Sequence, residues 1–288
     1  MGGRGGFFKS FEYDKSKSYS SFKEAIYSEE AENSKNDEDT KLEHDGLTKK
    51  LLDKNIHIKQ STDNFRKDVL MPNINKVNKL SNKYLDTSRV LKQNDKEFGV
   101  RADKLPNNTV ACFRSYADSL SNMRIVLNKD IQFANKHTIE SSVKQQIKEN
   151  YWTKCDDENL ASHSITHEFG HYVQRVLMER EKHTKKGSRF FKKFEEDTKT
   201  QPHKYNEIQS KYYEEHAQRA LNSIDNLQYK LFKTRFKFND MSDYGRENAC
   251  ETFAEAFAEL NNYKNHSNFA KAMEIYLKQH LNRVDKKK

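Results

Sequence analysis

Two histidines stand four residues apart in the segment HEFGH, residues 167–171, and a glutamate directly follows the first of them. On a helix, residues at i and i+4 lie on the same face, with about 5–6 Å between their Cβ atoms. Both imidazoles can therefore reach one Zn2+ at about 2.0–2.1 Å. Glu168 lies one step around the helix, where its carboxylate faces a water on the metal rather than the metal. The spacing predicts a zinc site with His167 and His171 as ligands and Glu168 as general base.

The composition and the glycine of this segment favour a functional origin over chance. With 11 histidines in 288 residues, we expect roughly 0.035 accidental copies of a His-Glu-x-x-His pattern. Gly170 lowers the stability of a helix by about 1 kcal/mol relative to alanine, so its presence needs a reason. A second element packed closely against this helix would supply that reason.

A third histidine leaves a second metal-binding pair open. His163, His167 and His171 repeat at four-residue intervals, so His163 and His167 are also spaced to share a metal ion. Ser164 follows His163, whereas Glu168 follows His167. We therefore prefer His167 and His171 as the ligands and expect His163 to be a neighbour of the site.

Two histidines leave a zinc site one protein ligand short, and a column of glutamates near the C-terminus offers the third. On a helix that begins near residue 246, the glutamates at four-residue intervals are Glu247, Glu251, Glu255 and Glu259. Like charges at this spacing disfavour an isolated helix. The small residues Ala254 and Ala258 would let another helix approach, so that one glutamate binds zinc and the next supports a ligand. A solvated acidic face is the alternative interpretation.

The segment SDYGRENACETFAEAFAEL, residues 242–260, resembles the corresponding segment of the anthrax lethal factor-like zinc peptidases, a group within the zincins. The matching residues are Tyr244, Gly245, Arg246, Asn248, Glu251, Phe253, Ala254, Glu255, Ala256 and Phe257. Together with HEFGH they form a specific pair of motifs. The resemblance covers roughly Ser121 to the C-terminus. A long polar insertion separates the motifs, since Glu251 lies 80 residues after His171.

The resemblance implies a role for each residue of the site. His167, His171 and Glu251 would bind Zn2+, and Glu168 would be the general base. Tyr244 would match the family's phenol that stabilises the tetrahedral transition state. The implied function is a zinc-dependent endopeptidase that hydrolyses a peptide bond with a glutamate-activated, zinc-bound water.

The resemblance also implies the fold and the way in which a substrate binds. The fold would be α+β, with a zincin-like metallopeptidase domain that is mainly helical and has a small sheet. The strand at residues 123–128 would be the edge strand on which a polypeptide substrate pairs as an extended strand. Glu255 would be a carboxylate that supports a ligand.

The elements that position these residues follow from hydrophobic periodicity. Short apolar stretches predict strands at residues 109–116 and 123–128, the second with one face toward a core and the other toward a groove or solvent. An apolar stripe places HEFGH within a helix that begins after residue 156. The segments expected after it are a polar connection (179–204), a long helix after Pro202, and two closing helices (246–261 and 267–284).

Composition divides the chain into three parts. Residues 1–60 have little sustained apolar period, and we expect a polar, disordered N-terminal extension. Residues 61–96 have apolar side chains at helical spacing, which predicts a helical N-terminal subdomain. Residues 97–288 would form the zincin-like catalytic domain.

Composition also limits the partners and the compartment. No apolar run approaches the roughly 18–20 residues of a membrane span, and the N-terminus lacks the apolar run of a signal peptide. Three widely spaced cysteines indicate a reducing compartment, so we expect a cytoplasmic or virion-associated protein. The formal net charge is +9, but no nucleic-acid-binding motif accompanies it, so nucleic acid is not the expected partner. An acidic peptide substrate or acidic protein partner fits the charge better.

Two functions of other classes stay open. A non-catalytic, zinc-stabilised structural module, such as a phage or mobile-element assembly protein, would keep the metal ligands. Such a module has no need of a general base, and the presence of Glu168 counts against it. Binding of nucleic acid through the positive charge is the other alternative.

Overall fold

The fold of the described part of the chain is α+β, mostly helical with one small sheet. The computed structural model describes residues 56–59, 66–84, 97–103, 105, 110–114, 122–128, 136–181 and 184–281. Most of the expected N-terminal extension, residues 1–55, lies outside this part. None of the helices within it is long and apolar enough to cross a membrane.

Four strands form the sheet, in the spatial order β1-β2-β4-β3. The strands are β1 (Ile56–Lys59), β2 (Glu97–Asp103), β3 (Ala111–Arg114) and β4 (Asn122–Asn128). The pairs β1–β2 and β2–β4 are parallel, whereas β3 runs antiparallel to β4. The antiparallel register places Phe113 opposite Ile125. The two strands predicted from the sequence are confirmed as β3 and β4.

The prediction that residues 123–128 form an edge strand is wrong. β4 lies inside the sheet, with β2 on one side and β3 on the other, so its backbone groups are taken by its neighbours. Among the described strands, β3 is the edge strand on this side. Val126 and Asn128 are buried, which also contradicts a face open to a groove or solvent. Asn128 tolerates burial because its Oδ1 accepts a hydrogen bond from the Leu105 N–H at 3.2 Å.

Strand β1 extends the sheet into the segment expected to be a polar extension. Its residues pair in parallel with β2, from Ile56 opposite Phe98 to Lys59 opposite Arg101. The sequence IHIK alternates apolar and polar residues, but a run of this length is too short to stand out without its partner strand. The boundary expected at residue 60 therefore falls just after a strand of the sheet.

Helix α1 (Met71–Tyr84) lies in the segment expected to be an N-terminal subdomain. A π-helical turn (Arg66–Leu70) runs directly into this helix, so Pro72, its second residue, lies at the junction of the two. Its buried residues Ile74, Val77 and Leu80 belong to the same hydrophobic core as the helices that follow. The helix is therefore part of the main core rather than a separate unit.

Six further helices follow the sheet in the described chain. They are α2 (Lys136–Lys148), α3 (His163–Glu181), α4 (Lys185–Thr200), α5 (Tyr205–Phe232), α6 (Ala249–Asn262) and α7 (Asn268–Leu281). The predicted helix around HEFGH, the long helix after Pro202 and the two closing helices are confirmed as α3, α5, α6 and α7.

Helix α4 forms inside the segment expected to be a polar connection. Phe190 and Phe194 pack against Tyr212 of α5, with ring centroids 4.9 Å and 5.1 Å apart. The Thr184 side chain caps the start of the helix by accepting a hydrogen bond from the Gly187 N–H at 3.0 Å. The segment contains many lysines, so its narrow aromatic face gives only a weak helical pattern in the sequence. That face is stabilised by packing against α5.

Helix α3 is the central helix of the fold, and all of its residues from His163 to Met178 are buried. β3, α1 and α6 all contact it. At Gly170 a Cβ would lie 2.9 Å from the Ala254 Cα and 3.2 Å from the Phe257 Cβ. The close neighbour expected for Gly170 is therefore confirmed as α6, and the backbones of the two helices approach each other at the site.

Candidate metal centre

Three side chains from α3 and α6 converge on one point. The distances are 3.2 Å between the Nε2 atoms of His167 and His171, 3.0 Å from His167 Nε2 to Glu251 Oε2, and 3.3 Å from His171 Nε2 to that oxygen. Tetrahedral coordination at the usual Zn–N length of about 2.05 Å places two donor atoms about 3.3 Å apart. The three donor atoms are therefore spaced to hold one metal ion.

The three residues are almost fully shielded from solvent, with exposures of 0% for His167, 4% for His171 and 1% for Glu251. Within the described residues, they are the one group of His, Cys, Asp or Glu side chains positioned to hold a metal ion. Two imidazole nitrogens that face each other at 3.2 Å cannot both present a lone pair without a cation or proton between them. The donor set therefore requires a proton or a metal cation at its centre.

The electrostatics of the group agree with this requirement. Burial by itself would lower the pKa of His167, but its hydrogen bonds to Glu251 and Glu255 outweigh burial and raise that pKa to about 10. Burial would raise the pKa of Glu251, yet His171 and His167 hold it well below its usual range. The site therefore carries an anionic carboxylate and favours a cation beside it.

Glu255, one turn after Glu251 on α6, holds the first histidine from its other side. Its Oε1 lies 2.8 Å from His167 Nδ1. Its Oε2 accepts hydrogen bonds from the Thr153 N–H and the Ser242 hydroxyl, each at 2.7 Å. A carboxylate that accepts from Nδ1–H fixes the tautomer and leaves Nε2 free for a metal. Glu255 thus has the geometry that the sequence analysis assigned to a supporting carboxylate.

The other glutamates of the column serve different purposes. Glu247 is exposed just before the start of α6, and Glu259 accepts hydrogen bonds from the N–H and hydroxyl of Ser267. Because Glu251 and Glu255 are both buried, the alternative of a solvated acidic face is wrong for the central pair.

Glu168 lies beside the ligand group but outside it. Its Oε2 accepts a hydrogen bond from the Phe113 N–H of β3 at 2.7 Å. Glu168 is buried, and burial raises the pKa of its carboxyl group. A raised pKa suits a group that must both accept and return a proton near neutral pH.

The register of β3 explains why its backbone reaches Glu168. The Asn128 N–H donates to the Val110 carbonyl at 2.9 Å, so residues 110, 112 and 114 direct their backbone groups toward β4. Ala111 and Phe113 direct their N–H and C=O groups to the opposite side. The Phe113 N–H is therefore available to Glu168, and the sequence contains no signal for a contact made by the backbone.

Tyr244 lies beside the first histidine, with its ring centroid 5.4 Å from that of His167. It is buried in a short helical turn (Tyr244–Arg246) before α6. The Asp243 and Tyr244 N–H groups donate to the carbonyls of Asn150 and Tyr151, at 2.8 Å and 3.1 Å. These bonds tie the Tyr244 turn to the segment that follows α2.

That segment supplies an aromatic side chain that the sequence analysis missed. Trp152 contacts Tyr244, His163 and His167, with ring centroids 5.8, 4.6 and 5.1 Å away. It is the single tryptophan of the chain, and this was the only feature of the sequence that could have indicated Trp152 as a residue of the site. Ser242, which holds Glu255, was also missed although it precedes Tyr244 within the matched segment.

His163 does not join the ligand group. Its Nδ1 lies 3.3 Å from the amide nitrogen of Asn262, and burial lowers its pKa to about 4. Cys250 precedes Glu251, but its Sγ contacts Gln174 Nε2 at 3.5 Å. Neither residue belongs to the group that can hold a metal ion, and the preference for His167 and His171 over the pair with His163 agrees with this geometry.

Comparisons with known proteins found no matching family model, no matching curated protein and no matching solved structure.

Proposed function

We propose that this protein is a zinc-dependent endopeptidase of the lethal factor-like type. The observation that carries the proposal is the placement of Glu168, a buried carboxylate beside three converging metal ligands but outside their group. A site that only binds metal needs the ligands, whereas hydrolysis also needs a base next to them.

The metal would be held by Nε2 of His167, Nε2 of His171 and Oε2 of Glu251. Bound Zn2+ would supply a Lewis acid that polarises the scissile carbonyl and lowers the pKa of a water. Glu255 keeps the His167 ring in the orientation that this requires, through its contact with Nδ1.

Glu168 would accept a proton from the attacking water at its carboxylate and pass it to the nitrogen of the leaving amine. The hydrogen bond from the Phe113 N–H holds Oε2 and leaves Oε1 for the proton. Burial disfavours the charged carboxylate of Glu168 and raises its pKa, so the protonated form that exists between the two transfers is less costly.

Tyr244 would donate its hydroxyl hydrogen bond to the oxyanion that develops on the scissile carbonyl. Its position beside His167 and Trp152 supports this role, because the aromatic neighbours hold the ring rigidly.

The substrate would be a polypeptide bound as an extended strand along β3. Ala111 and Phe113 direct their backbone groups away from β4; the Phe113 N–H donates to Glu168, so a peptide would pair with the Phe113 carbonyl and the Ala111 backbone groups. A peptide that paired with this edge would lie alongside the proposed base. β3 would then have the substrate-pairing role that the resemblance implied for residues 123–128.

The test combines metal analysis with cleavage of a diverse peptide library followed by mass spectrometry. We expect one zinc per chain and discrete cleavage sites for the wild type. Glu168→Gln should retain zinc and the fold and lose cleavage. The proposal fails if the wild type binds no stoichiometric zinc, or if Glu168→Gln cleaves as well as the wild type. Zinc binding without cleavage of any library peptide would instead support the structural or assembly module.

A further inference from the structure

Helix α6 carries Glu251 in its first turn, and a carboxylate from the long helix α5 holds the start of that turn. Oε1 of Glu214 accepts a hydrogen bond from the Ala249 N–H at 2.6 Å, and its Oε2 accepts one from the Cys250 N–H at 3.3 Å. The first N–H groups of a helix have no partner within the helix. Glu214 satisfies two of them with one side chain.

The next N–H of α6 belongs to Glu251 itself. It donates to the side-chain oxygen of Asn248, the N-cap residue, at 3.0 Å. Asn248 lies next to the helix in sequence, whereas Glu214 lies 35 residues before Ala249. The negative charge of Glu214 also complements the positive end of the helix dipole.

The residue before Glu214 contacts the other ligand-bearing helix. The Tyr213 carbonyl accepts a hydrogen bond from Gln174 Nε2 at 3.1 Å, and Gln174 lies three positions after His171 on α3. Adjacent residues of α5 thus hold both α3 and α6 close to their metal ligands. α5 belongs to the insertion between the two motifs, for which the resemblance implies no role.

We propose that Glu214 is a positioning residue that sets the place of Glu251 relative to His167 and His171, and so tunes the affinity of the site for zinc. This inference rests on the proposed zinc site. Glu214 acts through the backbone of α6, so its effect should appear in metal binding by the folded protein.

The experiment measures the zinc affinity of the full-length protein by competition with a chelator, for the wild type and Glu214→Gln. The amide of glutamine presents one acceptor oxygen and removes the charge, so one N–H loses its partner. We expect zinc to bind about tenfold or more weakly, in the range found when groups supporting metal ligands are changed.

Asp225→Asn is the matched control on the same helix. Oδ1 of Asp225 accepts a hydrogen bond from the Phe236 N–H at 2.7 Å and Oδ2 accepts one from Arg235 Nη1 at 2.8 Å, so these partners lie in the segment after α5. We expect this variant to keep wild-type zinc affinity. Urea unfolding of the zinc-free proteins separates the two effects, because a purely structural role of Glu214 would lower stability and leave the affinity of the folded protein unchanged.

The inference is overturned if the zinc affinity of Glu214→Gln stays within twofold of the wild-type value. If Glu214→Gln does not fold, Glu214→Asp replaces it, since the shorter side chain keeps the charge but cannot reach both N–H groups; unchanged affinity would again overturn the inference. A wild-type protein that binds no zinc would overturn the proposed site itself, which is a distinct result.

Discussion

Nδ1 of His167 lies 2.8 Å from Oε1 of Glu255, a residue 88 positions later in the chain. The contact joins the central helix α3 to α6 at the candidate metal centre. A proton held on Nδ1 leaves Nε2 as the atom that can bind a metal, and Nε2 lies at the point where His171 and Glu251 meet. The same glutamate reaches the Ser242 hydroxyl just before the Tyr244 turn, so it links the ligand group to that turn.

Replacing Glu255 by glutamine should weaken zinc binding about 10–100-fold, because the amide orients the imidazole less strongly than a carboxylate. Chelator competition measures the change. Glu259→Gln, one turn further on α6, is the control, since its carboxylate accepts from Ser267 rather than from a ligand. Equal zinc affinity in Glu255→Gln and the wild type would contradict the role assigned to Glu255.

Tyr244→Phe should lower kcat about 10²–10³-fold while zinc content and KM change little, because the hydroxyl stabilises charge that exists only in the transition state. Steady-state kinetics on a peptide taken from the library would measure this. Tyr263→Phe, at the C-terminal end of α6, should leave kcat unchanged. A Tyr244→Phe variant with wild-type kcat would remove Tyr244 from the mechanism.

Gly170→Ala should destabilise the protein by about 1–3 kcal/mol, even though alanine is the better helix former. The added Cβ would lie 2.9 Å from the Ala254 Cα and 3.3 Å from the Ala254 carbonyl oxygen, which are backbone atoms that cannot rotate away. For the same reason, Ala254→Gly should fail to restore stability when it is combined with Gly170→Ala. Urea unfolding of the zinc-free proteins measures both, and a Gly170→Ala variant as stable as the wild type would contradict the close packing.

His216 should make the protein less stable as the pH falls below about 6.5. Burial, with the nearby Arg219 and Arg175, lowers its pKa to about 3, although Glu181 Oε2 lies 3.7 Å from its Nε2. The unfolded chain therefore binds a proton at a higher pH than the folded protein does. The stability that neutral His216 contributes is complete above the unfolded pKa and is lost as the pH falls toward 3.

The contribution of this one residue to the slope of the free energy of unfolding against pH should reach about 1.4 kcal/mol per pH unit. Urea unfolding between pH 7 and pH 4 should give a shallower dependence for His216→Leu than for the wild type. His203→Gln is the control, because His203 is exposed. Identical slopes for His216→Leu and the wild type would show that His216 already gains its proton in the folded state.

The sequence by itself determined which candidate ligands share a helix face, because that depends on local spacing, whereas the choice of Glu251 within its column came from the resemblance. His167 and His171 share a helix face at i and i+4, and so do Glu251 and Glu255, whatever else surrounds them. Gly170 indicated a close neighbour for the same local reason, since a glycine within a helix costs stability. Helices α1, α3, α5, α6 and α7 followed from apolar periodicity along continuous segments, whereas α2 and α4 were not predicted.

Only the tertiary structure decided which strand is at the edge, because strand order depends on pairing between distant segments. β4 has the more regular alternation, yet β2 and β3 enclose it, and β3 brings the Phe113 N–H to Glu168. The tertiary structure likewise placed Glu214 at the start of α6, since that contact joins residues 35 positions apart on two different helices. Side-chain spacing predicts which residues share one face of a helix. Which backbone N–H groups contact a distant side chain, and which helices contact each other, is decided only when the chain has folded.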